Sequence, residues 1–219
     1  MATKYTIHPE TPQIYTIDRI VSELRNGAIV LYPTDTVYAI GCDINVKSAV
    51  ERVRRIKRLS NDKPLTFLCS SISNTAAYAQ VSDISYRIMR NLVPGPYTFL
   101  LPATKQVPKI VMDPKRKTTG IRIPDSHVCQ ALLKALGSPM ISTSAHPLPP
   151  ELTKYHDIPF LQRMDLFDEL EKLVDVIVDN EQEQGTQVST IIDLTGDEVE
   201  IVRKGLGWED AADLVAQIG

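Results

Sequence analysis

Segments with strand-like and helix-like spacing alternate along this chain at short intervals, and that alternation limits what it can fold into. Ile17, Ile20, Val21 and Leu24 recur at helical spacing, and Gly27 is a natural C-terminal stop. The apolar run AIVLY at 28–32 reads as a buried strand ending in Pro33-Thr34-Asp35-Thr36. A helix follows over about 48–58, with Ala49, Val53 and Ile56 inward and its cations outward. The stretch 65–69 reads as a strand, and two short helices are expected near 74–80 and 84–92. The turn Pro94-Gly95-Pro96 then leads into a strand at 97–101. Residues 118–124 alternate, placing Ile121 and Ile123 on one face and Thr118, Gly120 and Arg122 on the other. A helix over 128–136 stops at Gly137, and Met140-Ile141 opens a strand into Ser142-Thr143-Ser144-Ala145-His146. Beyond a proline-rich loop, an acidic helix at about 158–173 precedes strands at 174–178, 188–194 and 199–203 and a last amphipathic segment. Strands mixed with helices over this length imply one α/β domain, residues 1–219, on a large, partly parallel sheet.

Several classes are excluded. A chain of 219 residues buries about 70% of its unfolded surface and needs no staple. Cys42, Cys69 and Cys129 are odd in number and far apart with no CxxC, which argues against a disulfide framework or zinc ribbon and for a reducing compartment. His8, His127, His146 and His156 lack metal-ligand spacing, so no protein-bound metal is expected. The start MATKYTIHPETPQ lacks the apolar core of a secretory signal, and no run approaches the ~18 apolar residues of a membrane span. The cytoplasm is the expected location, with no membrane partner; oligomeric state stays open. There is no GxxxxGK[ST], and Gly205-Leu206-Gly207 is too short for a dinucleotide fingerprint.

The net charge of −3 conceals an asymmetry. From Asp165 to Asp213 fifteen acids face three cations, a net −12, so the remainder carries +9. Its densest part, 47–63, holds Lys47, Arg52, Arg54, Arg55, Lys57, Arg58 and Lys63 against Glu51 and Asp62. Such a run is either a solvated helix face or a phosphate-attracting one. Polar residues also collect at strand ends, where open α/β sheets bind ligands. Thr34 and Thr36 lie two apart after a buried strand, as do Ser142 and Ser144, a spacing that turns both hydroxyls of a pair to one side. These are either turn and capping residues or, with Arg122, parts of one site.

The segments Tyr32-Pro33-Thr34-Asp35-Thr36-Val37-Tyr38-Ala39-Ile40-Gly41, Lys63-Pro64-Leu65, Pro94-Gly95-Pro96-Tyr97-Thr98, Gly120-Ile121-Arg122-Ile123-Pro124, Ser142-Thr143-Ser144-Ala145 and Val188-Ser189-Thr190 resemble, in order, the motifs of the YrdC-like domain of threonylcarbamoyl-AMP synthases. The start IHPETPQ and the region 83–109 look most like the YciO branch. The resemblance implies a twisted open mixed sheet, flanked by helices, around a basic concave cavity. It implies a nucleotide-binding protein that carboxylates threonine with bicarbonate and adenylates the product with ATP, Mg²⁺ riding on the phosphates and pyrophosphate leaving, in service of tRNA modification. By position, Thr36, Arg122, Ser142 and Ser189 would hold the amino acid, and Lys57, Lys63, Thr118, Ser144 and Arg203 would face ATP or AMP. Lys57 and Arg122 are the positioning candidates; no side chain stands out as a general base or nucleophile.

Three positions depart from the family pattern. Leu59 stands where a Lys-x-Arg motif has arginine, His146 where a Ser-x-Asn motif has asparagine, and Leu68 where a histidine is common. Loss of one positioned donor costs about 10²–10³ in rate. Two readings follow: a slow synthase, or a protein whose basic cavity binds structured RNA (double-stranded RNA, tRNA or rRNA) with catalysis reduced or lost.

Overall fold

Residues 1–59, 65–155, 158, 160–196 and 198–218 are described by the structure, a computed structural model. Lys63, one of the expected nucleotide contacts, and His156 lie outside the described residues. In chain order the elements are β1 (Thr3–Thr6), α1 (Ile14–Arg25), β2 (Val30–Tyr32), β3 (Ala39–Asp43), α2 (Lys47–Ile56), β4 (Thr66–Leu68), α3 (Ile72–Thr75), α4 (Asp83–Leu92), β5 (Tyr97–Pro102) and β6 (Thr118–Arg122). They continue as α5 (His127–Leu136), β7 (Met140–Ser144), a 3-10 turn (Pro150–Leu152), α6 (Arg163–Leu170), β8 (Val176–Asp179), β9 (Thr190–Asp193), β10 (Glu200–Arg203) and α7 (Trp208–Ile218). The strands form one ten-stranded mixed sheet in the order β1-β8-β2-β3-β7-β4-β6-β5-β9-β10. Pairing is parallel at β1–β8, β8–β2, β4–β6 and β5–β9, and antiparallel elsewhere. Among the described residues no helix is long and apolar enough to cross a membrane.

Strand alternation divides the core in two. On one face Ile40, Phe67, Phe99, Ile121, Ile141 and Ile192 are fully buried with Val50 and Val53 of α2, Ile88 and Met89 of α4, and Leu166 and Phe167 of α6. On the other, Val30, Tyr32, Leu68, Met140, Val176 and Val178 pack with α1 and α5. The helix ends follow local chemistry. Ser126 caps α5 by accepting from Cys129 N–H, and α5 stops on Gly137 at φ +78°, a left-handed conformation glycine adopts without strain. The second face continues away from the two helices in rows set by register. Leu68, Arg122 and Thr98 stand side by side, as do Ser142, Thr66 and Gly120. The apolar half of this face is core; its polar half is the floor of a cavity.

Several sequence expectations are corrected. β1 and β3 were not anticipated: β1 is a polar edge strand, TKYT, without apolar alternation, and β3 is buried on both faces and interrupted by Gly41, so neither shows the period of a half-buried strand. The helix expected at 74–80 is the single turn α3, because Ala79 instead pairs with Ala103 beside β5. The acidic helix is shorter, its first residue Arg163 giving its N–H to the Glu183 carboxylate. Arg54 was expected outward on α2 but is 4% exposed, its Nε donating to the Ile110 carbonyl at 2.9 Å.

Gly41 fixes how closely β3 and its neighbours approach. A Cβ there would lie 2.3 Å from the Ile141 carbonyl oxygen and 2.8 Å from Cε1 of Tyr32. Gly41→Ala is therefore expected to destabilise the fold by about 2 kcal/mol or more, since the clash is with backbone of a paired strand. Equilibrium urea unfolding checks this.

Candidate functional site

The cavity on the polar half of the sheet encloses about 210 Å³ and is bounded by the β2–β3 loop, the ends of β4, β6 and β7, the segment 188–191 and Arg203. Its hydroxyl groups have defined hydrogen directions. Thr34 Oγ1 donates its one hydrogen to the Val37 carbonyl at 2.7 Å, so in the 3.1 Å contact between the two hydroxyls Thr36 is the donor. Thr36 Oγ1 in turn accepts from Arg122 Nη1 at 3.0 Å, which leaves it one acceptor site. Ser142 Oγ accepts from the Tyr32 hydroxyl at 2.8 Å. Its own O–H is then the donor it has for a ligand. Tyr32 is fully buried and burial pushes its phenol far above its ordinary pKa, so it remains a donor at any working pH.

Two guanidiniums line the same cavity, held in different ways. Arg122 is 7% exposed, and its Nη2 lies 2.5 Å from Asp35 Oδ1. Arg203 reaches over from β10, donating through Nε and Nη2 to the Ser189 carbonyl at 3.0 and 2.7 Å and through Nη2 to Ser189 Oγ at 3.0 Å. Ser189 Oγ also shares a hydrogen with Thr98 Oγ1 at 2.9 Å. Arg203 has no carboxylate partner among the described residues. Burial first and repulsion from Arg122 second hold its pKa below the usual guanidinium value. This is an electropositive, hydroxyl-rich concavity suited to an anion with hydrogen-bonding neighbours.

Of the expected site residues, Thr36, Arg122, Ser142, Ser144, Ser189 and Arg203 are brought together here. Thr118 shares the face of Arg122 but is buried four residues away along β6 and does not line the cavity. Lys57, the cap of α2, turns its ammonium to the Ala145 and Pro147 carbonyls, tying the end of α2 to the segment after β7 rather than lining the cavity. Both leucines at the departing positions, Leu59 and Leu68, do line it. His146 does not. Its Nε2 donates to the Ile158 carbonyl at 2.7 Å, and the ring borders a separate small pocket with Arg163 and Gln184. Thr98, which lines the cavity, and Tyr32 and Asp35, which hold its polar groups from behind, were missed although all three lie inside the quoted motifs; the contacts of Tyr32 and Thr98 depend on cross-strand register and that of Asp35 on where its loop folds. Among the described residues no group of three or more His, Cys, Asp or Glu is placed to hold a metal ion.

The comparisons with known proteins agree with this architecture. A model of the Sua5/YciO/YrdC family, described as "Telomere recombination", matches residues 22–205. The chain belongs to this family. It is 40% identical over 207 residues to YciO of Escherichia coli strain K12, a protein named as uncharacterized, covering 94% of this chain and 97% of that one. The crystal structure of E. coli YciO superposes with a TM-score of 0.84 over 94% of this chain and 97% of that chain, at 39% identity. A threonylcarbamoyl-AMP synthase of Bos taurus is 30% identical over 202 residues, 91% of this chain and 71% of its own. The fold is also that of P. abyssi Sua5 crystallised with L-threonine, at a TM-score of 0.80 and 23% identity over 93% of this chain and 58% of that chain.

Burial lowers the Lys57 pKa to about 8 from an ordinary 10.5. Between those values the unfolded chain binds more protons than the folded one, so this group makes stability rise with pH across the window and contributes no slope below it. The stability of the protein relative to its Lys57→Met variant is expected to stay level up to about pH 8 and then climb toward pH 10.5. Urea unfolding of both proteins across that range measures it.

Proposed function

We propose that the protein is a threonylcarbamoyl-AMP synthase of the YciO type that works slowly, binding ATP and a small amino acid in the one cavity and acting in the cytoplasm. The observation that carries this reading is the pair of guanidiniums, Arg122 and Arg203, set around the hydroxyls of Thr36, Ser142 and Ser189 in one concavity. In the reaction, the amine of threonine condenses with bicarbonate, forming an N–C bond as a C–O bond breaks and water leaves, to give a carbamate. A carbamate oxygen then attacks the α-phosphorus of ATP, forming a P–O bond as the bond to pyrophosphate breaks and pyrophosphate leaves; Mg²⁺ brought in with ATP would offset phosphate charge. Arg203, whose charge no carboxylate compensates among the described residues, suits the phosphate side, while Thr36, Arg122 and Ser142 suit the amino acid. No side chain in the cavity is poised as a covalent nucleophile, so the contribution of the protein is positioning and electrostatics. Leu59 and Leu68 present apolar surface to the cavity in place of the family's polar groups, which accounts for a slow reaction.

Protein supplied with threonine, bicarbonate, Mg²⁺ and ATP is expected to release pyrophosphate in a threonine-dependent way, and Arg122→Ala to lower that release at least about 100-fold. Release that is indifferent to threonine, or equal in the variant, refutes the reading.

A second reading has its own observation. A groove of about 960 Å³ beside α2 is lined by Lys47, Arg54, Arg55, Arg58 and Lys109 with one acid, Glu51, and it adjoins the cavity at Leu59. In this reading the basic face binds structured RNA through backbone contacts. Affinity for a double-stranded RNA is then expected to fall steeply between 50 and 200 mM salt, by about 10³ or more if six phosphates are contacted. A flat salt response excludes it.

A further inference from the structure

Ser189 anchors the Arg203 side of the cavity, and a second hydroxyl stands behind it. Arg203 donates to the Ser189 carbonyl through Nε and Nη2 and to Ser189 Oγ through Nη2. Ser189 Oγ also meets Thr98 Oγ1 at 2.9 Å, the one hydrogen bond of the Thr98 side chain among the described residues. Register puts Thr98 in that place. On β5 it stands opposite Arg122 of β6 on one side and Ile191 of β9 on the other, and Ser189 lies two residues before Ile191. Thr98 and Ser189 are 3% and 6% exposed. A β-branched side chain is stiff at χ1, so the Thr98 hydroxyl is held where the strand puts it.

Two hydroxyls carry two hydrogens, and the contact between them uses one. The other has no acceptor in the protein among the described residues. Arg203 already fills one lone pair of Ser189 Oγ. With Thr98 as the donor, the second lone pair is filled as well, and the hydrogen of Ser189 is left to give to a ligand. An anionic oxygen drawn to Arg203, which has no carboxylate partner among the described residues, favours that direction. Thr98, Ser189 and the anion then form a chain of hydrogen bonds in which each polarises the next.

We propose that Thr98 is a positioning residue: by donating to Ser189 Oγ it turns the Ser189 hydroxyl, alongside Arg203, onto an anionic oxygen of the ligand. The proposal rests on the synthase reading given above, in which that oxygen belongs to the phosphates of ATP or to the carboxylate of threonine. Thr98 acts through Ser189 and not by touching the ligand.

The test is calorimetric titration of the full chain with ATP and Mg²⁺ and, separately, with threonine. Thr98→Val keeps the branching of the side chain and removes the hydroxyl. It is expected to weaken at least one of the two ligands about 10-fold, and the ligand affected is the one whose oxygen Ser189 meets. Thr98→Ser keeps the donor and is expected to bind within about 3-fold of the unaltered chain. In a Ser189→Ala background Thr98→Val is expected to cost nothing further, since no hydroxyl is left for it to turn. A threonine with a merely structural role loses affinity equally in both backgrounds, and that outcome overturns the proposal. Unchanged affinity of Thr98→Val for both ligands also overturns it and leaves the synthase reading standing. Should Thr98→Val fail to fold, judged by its circular dichroism melt, Thr98→Ala takes its place in the same cycle. If the unaltered chain binds neither ATP nor threonine, the proposal and the synthase reading fall together.

Discussion

A guanidinium buried on the floor of a sheet has to be matched, and the matching of Arg122 shapes everything around it. Its two partners, Asp35 and Thr36, come from the loop that leaves β2, so the ion pair draws that loop across three strands onto β6. Thr36 then orders Thr34, and Thr34 closes the chain of hydrogen bonds on the Val37 carbonyl. A buried pair of this kind contributes little net stability once desolvation is counted, and loss of either partner is costly because the other is stranded. Its value lies in geometry: one interaction sets where the loop sits, which way its hydroxyls point, and which groups remain to meet a ligand.

Beneath this, the register of the sheet decides which residues become neighbours. Tyr32 stands on β2 and Ser142 on β7, and they meet because β3 runs between them with a glycine at the crossing point. Thr98, Arg122 and Leu68 line up because β5, β6 and β4 pair with no offset between those residues. The polar rows extend from the apolar rows that hold α1 and α5, so one sheet face serves both as core and as binding floor.

These features mark what could be read in the chain and what could not. The alternation at 118–124 and the paired hydroxyls at 34/36 and 142/144 were legible because they depend on period-two spacing within one strand or strand end. Arg122, Ser142 and Thr36 therefore fell together as expected. Thr118 shows the limit of the same argument: spacing assigns a face, but position along the strand decides whether that face opens on the cavity. Tyr32 and Thr98 depend on cross-strand pairing and Asp35 on the path of its loop, neither of which a local pattern encodes. Gly41 hid β3, since a glycine in a buried strand reads as an interruption while in the fold it is what lets Tyr32 pass. Lys57 and Arg54 were read by charge alone. Backbone carbonyls claim both side chains, a kind of partner that leaves no trace in composition.

Leu59 belongs to the wall of the cavity and to the wall of the basic groove beside α2. A leucine in that place is a piece of low-polarizability material set between two regions rich in positive charge. An anion moving between them must pass a surface that offers it no hydrogen bond, and because such material screens poorly, the positive charge on either side is felt across it. The wall is a sill and not a screen: the two regions share one positive field and are parted by a stretch of surface without hydrogen-bonding groups.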